Sequence, residues 1–361
     1  MIHALVVGGL AIAVALIVAI VGLLIWRALA KAAAAKALAI STPNGIDEAM
    51  FVPIGGIGQW VTIRGEDRSN PVLFFLHGGP GAAMSPFAGR FRPFERDFVL
   101  VQWDQRGAGR TYGRNRRAPD AVGSLEHMTA DGIELAEWLR THLGKDRLIL
   151  FGLSWGSVLG VHMVKARPDL FFAFVSSRQV VNMQAGEAMA YAQVLAKAKA
   201  RGDAKRIAAL EKSGAPPYHA ARQIMAQRRV AGTYEPNAPS PLTLMAGLLT
   251  APRYGLRDGL DFVAGIQATQ KVFLGPDLSG ALLSIDLNAL GTDFAVPIYV
   301  LQGDQDDYTP APLARAWFDT ITAPGKAYVS IEGYGHMAVA VAPERFRDEL
   351  VERVRPLALT E

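Results

Sequence analysis

Residues 147–160, RLILFGLSWGSVLG, place four apolar residues directly before Gly-x-Ser-x-Gly and a helix-compatible run directly after it. A strand that passes into a helix through one serine must turn sharply there, and Gly152 and Gly156 omit side chains where the two elements would collide. Ser154 is thereby lifted clear of the packed interior, with its backbone at the positive end of a helix. The motif reads as a nucleophile elbow. It predicts a buried strand over 148–151, a helix over 155–166, and a sheet able to carry both.

The rest of the chain supplies that sheet. Short apolar runs at 72–76, 98–103, 171–176, 298–301 and 327–331 read as strands, most of them continuous, as expected for parallel strands covered on both faces. Helices are predicted over 125–143, 312–321 and 343–354. A hairpin is read at 51–64 with GGIG at 55–58 as its turn; no Lys-Ser or Lys-Thr follows these glycines, so they do not read as a phosphate cradle. The fold class is therefore α/β, a doubly wound, mostly parallel sheet. From about 181 to 288 the pattern is helical, with proline breaks at 216–217 and 236–241 and no good buried strand. Such an insertion reads as a lid over the carboxyl edge of the strands, where open α/β sheets bind ligands. The expected organisation is an anchor and linker over 1–40, a core over 41–180 and 289–361, and the lid between them.

A serine hydroxyl needs a neighbouring base, and an elbow serine is followed in the chain by an acid and then a histidine. The segment 299–310, YVLQGDQDDYTP, ends a strand in a loop carrying Asp304, Asp306 and Asp307. The segment 330–338, SIEGYGHMA, does the same with His336, 182 residues beyond Ser154. A histidine there could take the serine proton and pass it to the leaving group, while a carboxylate fixes its tautomer. The other six histidines fit less well, since His77 precedes the elbow and the rest lie in the N-terminal apolar run or on helical segments. Glycines in 74–84, FFLHGGPGAAM, would let bare backbone N–H groups point into the site; those of Gly79 and Trp155 are the expected oxyanion donors. This chemistry calls for no cofactor and no metal.

Composition narrows the setting. The sequence has no cysteine, which removes disulfides, thiolate zinc sites and cysteine nucleophiles together. A net charge of +4 is too small a surplus to imply nucleic acid. Residues 4–26 form 23 uncharged positions, enough to cross roughly 30 Å of hydrocarbon as a helix. We read a single-pass membrane anchor; a secretory signal peptide is the competing reading, with the alanines at 32–35 as a cleavage region. Arg27, Lys31 and Lys36 follow the span, and positive-charge bias would keep the C-terminal side in the cytoplasm. Between 90 and 117 stand eight arginines against three acids. Arg106 and Arg110 are expected to brace loops beside the site, and the others to be solvated.

Taken together, HGGPG at 77–81, DQRGAGRT at 104–111, GLSWGS at 152–157, GDQDDYTP at 303–310 and GYGH at 333–336 resemble the proline iminopeptidase branch of the α/β-hydrolase superfamily. The likeness covers about 310 residues, everything beyond the anchor. In that family's acid loop, Gly-x-x-Asp-x-x-Thr-Pro puts the carboxylate fourth, which is Asp306 here. The resemblance implies a serine hydrolase with the triad Ser154, His336 and Asp306 that removes N-terminal residues, notably proline, from short peptides. It also implies a lid carboxylate for the substrate's α-ammonium, and Glu187 in the stretch 181–193 could serve; the alternative for Glu187 is an exposed helix acid. The elbow departs from the family at Leu153, where close aminopeptidases often carry Gly. Two other readings remain: a carboxylesterase acting on apolar esters that partition into a bilayer, and a non-catalytic binding protein retaining the fold.

Overall fold

The computed structural model describes residues 2–359 except Pro276, and the backbone alone of residues 2–5. In chain order the elements are α1 (Ile2–Ala37), β1 (Ile46–Ile54), β2 (Ile57–Gly65), β3 (Val72–Leu76), β4 (Val99–Asp104), α2 (Gly109–Asn115), α3 (Leu125–Leu143), β5 (Leu148–Leu153), α4 (Trp155–Ala166) and β6 (Phe171–Ser177). Then come α5 (Met183–Ala200), α6 (Ala204–Ser213), α7 (Ala221–Tyr234), α8 (Pro241–Thr250), α9 (Leu256–Leu274), β7 (Ile298–Gly303), α10 (Ala311–Thr320), β8 (Lys326–Ile331), α11 (Ala338–Val341) and α12 (Pro343–Arg353). The strands form one sheet in the order β1-β2-β4-β3-β5-β6-β7-β8. Only β1 with β2 and β2 with β4 pair antiparallel; β4 through β8 are parallel.

Side-chain alternation along the central strands divides the interior into two layers. Phe74, Leu76, Leu148 and Leu150 face one side and pack with Leu135 and Leu139 of α3 and Val158 and Leu159 of α4. Leu73, Phe75, Ile149 and Phe151 face the other and meet Phe91 and Phe94 of a 3-10 segment (Ser85–Arg96) and Phe346 and Leu350 of α12. Each such side chain removed from water contributes roughly 1.5–3 kcal/mol, so the middle of the sheet is the most strongly fixed part of the fold. The β1–β2 hairpin closes through Gly55 and Gly56, both at positive φ, between paired Ile54 and Ile57. Two central residues at positive φ match the tight turn that suits strand twist. The run GGIG is thus a turn followed by the start of β2, and β1 begins five residues earlier than the sequence suggested.

Parallel pairing has one consequence for function: the carboxyl ends of β3, β4, β5, β6, β7 and β8 lie along one edge of the sheet. Helices α5 to α9 depart from that edge after β6 and return at β7, covering it. Among the described residues this insertion holds no strand beyond an isolated bridge between Asn182 and Asp286.

Candidate active site

The corner at Ser154 is built as the glycines require. A Cβ on Gly152 would lie 2.3 Å from the carbonyl oxygen of Gly156, and one on Gly156 would lie 2.2 Å from that of Leu76. Ser154 itself takes φ 53° and ψ −117°, a conformation that costs a non-glycine residue on the order of 1–3 kcal/mol and persists only where its surroundings dictate it. Those surroundings are visible. The Ser154 N–H donates to Ser177 O at 3.0 Å, tying the turn to β6. The Ser157 hydroxyl donates to Ser154 O at 2.6 Å and accepts from Val180 N–H at 3.0 Å.

His336 lies in the loop after β8, and its Nδ1 is 3.0 and 2.9 Å from the two carboxylate oxygens of Asp306 in the loop after β7. The three acids of that loop have separate partners. Asp304 accepts from Gly333 N–H at 2.8 Å, and Asp307 pairs with Lys197 of the insertion at 2.6 Å. Asp306 is buried and also accepts from the N–H groups of Tyr308 and Thr309 and the Thr309 hydroxyl, at 2.8, 2.9 and 2.8 Å. Burial alone would raise its pKa, but the facing imidazole and these donors outweigh burial and hold it below the ordinary carboxylate value. With the carboxylate charged, the proton on Nδ1 donates to it, leaving Nε2 as the basic nitrogen.

Ser154 and His336 line one cavity of about 290 Å³, together with Gly78, Gly79 and Trp155. Gly78 is pressed against the serine: a Cβ there would lie 3.2 Å from Ser154 Cβ. Gly79 has φ 124°, open to glycine alone. Trp155 opens α4, so its N–H has no acceptor inside the helix. The glycine loop is held by His77, whose Nδ1 donates to Gly78 O at 2.8 Å while Nε2 accepts from Gln105 N–H at 3.2 Å. Burial lowers its pKa to about 4, so the ring is neutral and serves as a strut.

Three residues that the sequence did not single out, Arg178, Arg228 and Tyr308, line the cavity, and a fourth, Glu235, lies behind its Met337 wall. Arg178, directly after β6, is buried at φ 57°, and its Nε and Nη2 have no protein partner. Burial lowers its pKa to about 10 against the pull of Asp306 and Glu235, so it stays cationic at neutral pH. The signal was a lone arginine ending a buried strand at the carboxyl edge. The Tyr308 ring is 4.8 Å from that of His336. Glu235, at the end of α7, accepts from Met337 N–H at 2.7 Å, and its Oε2 is buried without a partner. A Cβ on Gly335 would lie 2.6 Å from that carboxylate, which accounts for the second glycine of GYGH.

Two expectations require correction. Glu187 is neither an exposed helix acid nor a residue lining the cavity beside Ser154: it is buried and its Oε1 accepts from Arg228 at 2.6 Å. In the arginine-rich stretch, Arg106 does brace loops, binding Asp131 at 2.8 and 3.1 Å and Asp120 at 2.6 Å. Arg110 lies over the Trp60 ring at 3.8 Å. The remaining arginines are not simply solvated, because Arg92 pairs with Glu66 and Glu95, Arg116 pairs with Asp261, and Arg90 donates to Ala340 O.

With a strained serine, a histidine and its carboxylate gathered at one sheet edge, comparison with known proteins is informative. The family model described as the alpha/beta hydrolase fold matches residues 71–343. The chain belongs to the α/β-hydrolase fold family. This hydrolase is 29% identical over 307 residues to a Bacillus subtilis protein named a probable aminopeptidase, covering 84% of this chain and 94% of that one. A stretch of 115 residues is 42% identical to a probable proline iminopeptidase of Streptomyces coelicolor, 31% of this chain and 33% of the relative. Among solved structures, the proline iminopeptidase of Mycobacterium smegmatis matches the hydrolase with a TM-score of 0.63 at 21% identity, over 87% of this chain and 99% of that one. The likeness to proline iminopeptidases carried by the motifs is therefore shared by relatives in sequence and in fold.

Proposed function

We propose that this hydrolase works through an acyl-enzyme on Ser154 and removes N-terminal residues, proline among them, from short peptides. The observation that carries this reading is the paired hydrogen bonding of His336 by Asp306 beside a serine held at positive φ in the same cavity. His336 Nε2 takes the hydroxyl proton as Oγ attacks the scissile carbonyl. The N–H groups of Gly79 and Trp155 receive the oxyanion; each such donor is worth about 100-fold to 1000-fold in rate. The imidazolium returns its proton to the leaving amine, and a water activated by the same nitrogen cleaves the ester and frees Ser154.

The aminopeptidase class is supported by the name of the Bacillus subtilis relative, which the chain matches along most of its length. The substrate's α-ammonium is assigned to Glu235 rather than Glu187, because Glu187 is already paired with Arg228, whereas Glu235 holds the cavity-lining Met337 by its N–H and keeps one oxygen unpartnered. A second reading, a carboxylesterase on apolar esters, is favoured by the cavity wall of Met84, Val158, Val180, Met183, Leu282 and Ile285. We read α1 as a single-pass anchor with the catalytic part on the cytoplasmic side. The most apolar stretch within Val6–Ala37 has a mean hydropathy of 2.9, and none of that stretch is buried in the protein interior. Arg27 and Lys31 both donate to Tyr254 O, contacts that support reading the helix together with the folded part.

Parallel assays with a proline arylamide and a short acyl nitrophenyl ester distinguish the two substrate classes. The aminopeptidase reading expects preference for the arylamide and, in Glu235→Gln, a raised KM for that substrate with ester hydrolysis retained. Preference for the ester with no effect of the substitution on arylamide KM would favour the esterase.

A further inference from the structure

Outside α1, the large apolar side chains that stand exposed among the described residues are concentrated on two neighbouring helices of the lid. Six of the eight belong to α8 or α9: Leu242, Met245, Leu256, Leu260, Val263 and Val272. Leu256, Leu260 and Val263 follow i, i+4, i+7 spacing and make one stripe along α9, while Leu242 and Met245 share a face of α8. Leu242 is 82% and Leu260 73% exposed, values unusual for leucine on the surface of a water-facing lid.

The depth of this patch follows from α1. The uncharged run ends at Trp26, and Arg27 is the first cation after it, an aromatic-then-basic order suited to the boundary between acyl chains and headgroups. Arg27 Nη2 and Lys31 Nζ donate to the carbonyl of Tyr254 at 3.1 and 2.9 Å. Tyr254 therefore sits at that boundary. It immediately precedes Gly255, the cap of α9, so the apolar stripe begins two residues from the plane at which α1 leaves the hydrocarbon. Arg257, its side chain 67% exposed, adds a cation at the same level for anionic headgroups.

We propose that the exposed apolar face of α8 and α9 is a second bilayer contact, seated in the interfacial layer of the leaflet from which α1 emerges. This rests on the reading of α1 as a membrane span. The occupant is lipid rather than a second copy of the chain, because the patch is continuous in depth with α1. The lid lies on the membrane, and α9 runs from it to the nucleophile corner, where Phe273 packs edge-on against Trp155 at 4.7 Å and Thr269 donates to Gly107 O at 2.9 Å.

The absence of native cysteine makes the test direct. Single substitutions Leu16→Cys in α1, Leu242→Cys, Leu260→Cys and Asp319→Cys, the last exposed on α10 at the opposite end of the sheet, are labelled with an environment-sensitive fluorophore. The full-length proteins are reconstituted into phosphatidylcholine–phosphatidylglycerol vesicles, with and without brominated phosphatidylcholine. Loss of emission at 16, 242 and 260 but not at 319 is expected. Quenching at 16 with 242 and 260 behaving like 319 overturns the proposal and leaves the anchor standing. No quenching at 16 removes the anchor reading and the proposal with it. Blue-shifted but unquenched labels at 242 and 260 would assign the patch to a copy-to-copy contact and also overturn it.

Discussion

At the scale of single residues, the loop after β7 holds three acids with three different duties, and hydrogen bonding separates what spacing does not. Asp304 fixes Gly333, Asp307 holds a lid lysine, and Asp306 faces His336. Replacing Asp306 by Asn preserves much of the shape but presents an amide to Nδ1, favouring the wrong tautomer. In a serine-protease triad the corresponding change costs about 10⁴-fold in kcat, and a loss of that order is expected here, read by steady-state kinetics on the better substrate. The motif could nominate Ser154 and His336 because each sits at a strand end with a recognisable flank. It could not find Glu235 or the partner of Glu187, since those contacts join residues 102 and 41 positions apart across the lid. His77 carries a pH signature. Its folded pKa of about 4 lies below the ordinary 6.5, so its contribution to stability is fully present above 6.5 and is lost as pH falls toward about 4. Between about pH 7 and pH 5 this amounts to about 2 kcal/mol, which chemical unfolding should register in the native protein and not in His77→Gln.

At the scale of elements, the β3, β5 and α4 contact decides whether the corner exists. A methyl group on Gly156 would meet the Leu76 carbonyl at 2.2 Å, so Gly156→Ala must push α4 away from the sheet. Overpacking of this kind costs about 1–3 kcal/mol. A lowered melting temperature and a slower reaction of Ser154 with an active-site probe are expected. Gly89→Ala, where an added Cβ would meet nothing within 4 Å, should change neither. The buried strands were legible because both their faces are covered and their apolar runs are unbroken. The beginning of β1 was not, since an edge strand with Asp47 and Glu48 outside the core interrupts any such run. Arg90, Arg92 and Arg116 were misjudged for a related reason: their partners at the Ala340 carbonyl, Glu66 and Asp261 come from distant parts of the chain, and sequence proximity reports none of them.

At the scale of the whole molecule, six parallel strands deliver their loops to one edge, and the lid closes over them from β6 to β7. The N-terminal helix meets this assembly at Tyr254, whose hydroxyl donates to buried Asp104 at 2.6 Å while its carbonyl receives Arg27 and Lys31. One tyrosine thus joins the proposed anchor to a strand of the sheet. The most direct test of the chemistry uses the full-length protein treated with a fluorophosphonate and digested for mass spectrometry. A single phosphonyl adduct on Ser154, absent in Ser154→Ala and formed far more slowly in His336→Gln, is the expected result. An unmodified Ser154 in folded protein, or hydrolytic activity that survives Ser154→Ala, would contradict acyl transfer through this serine.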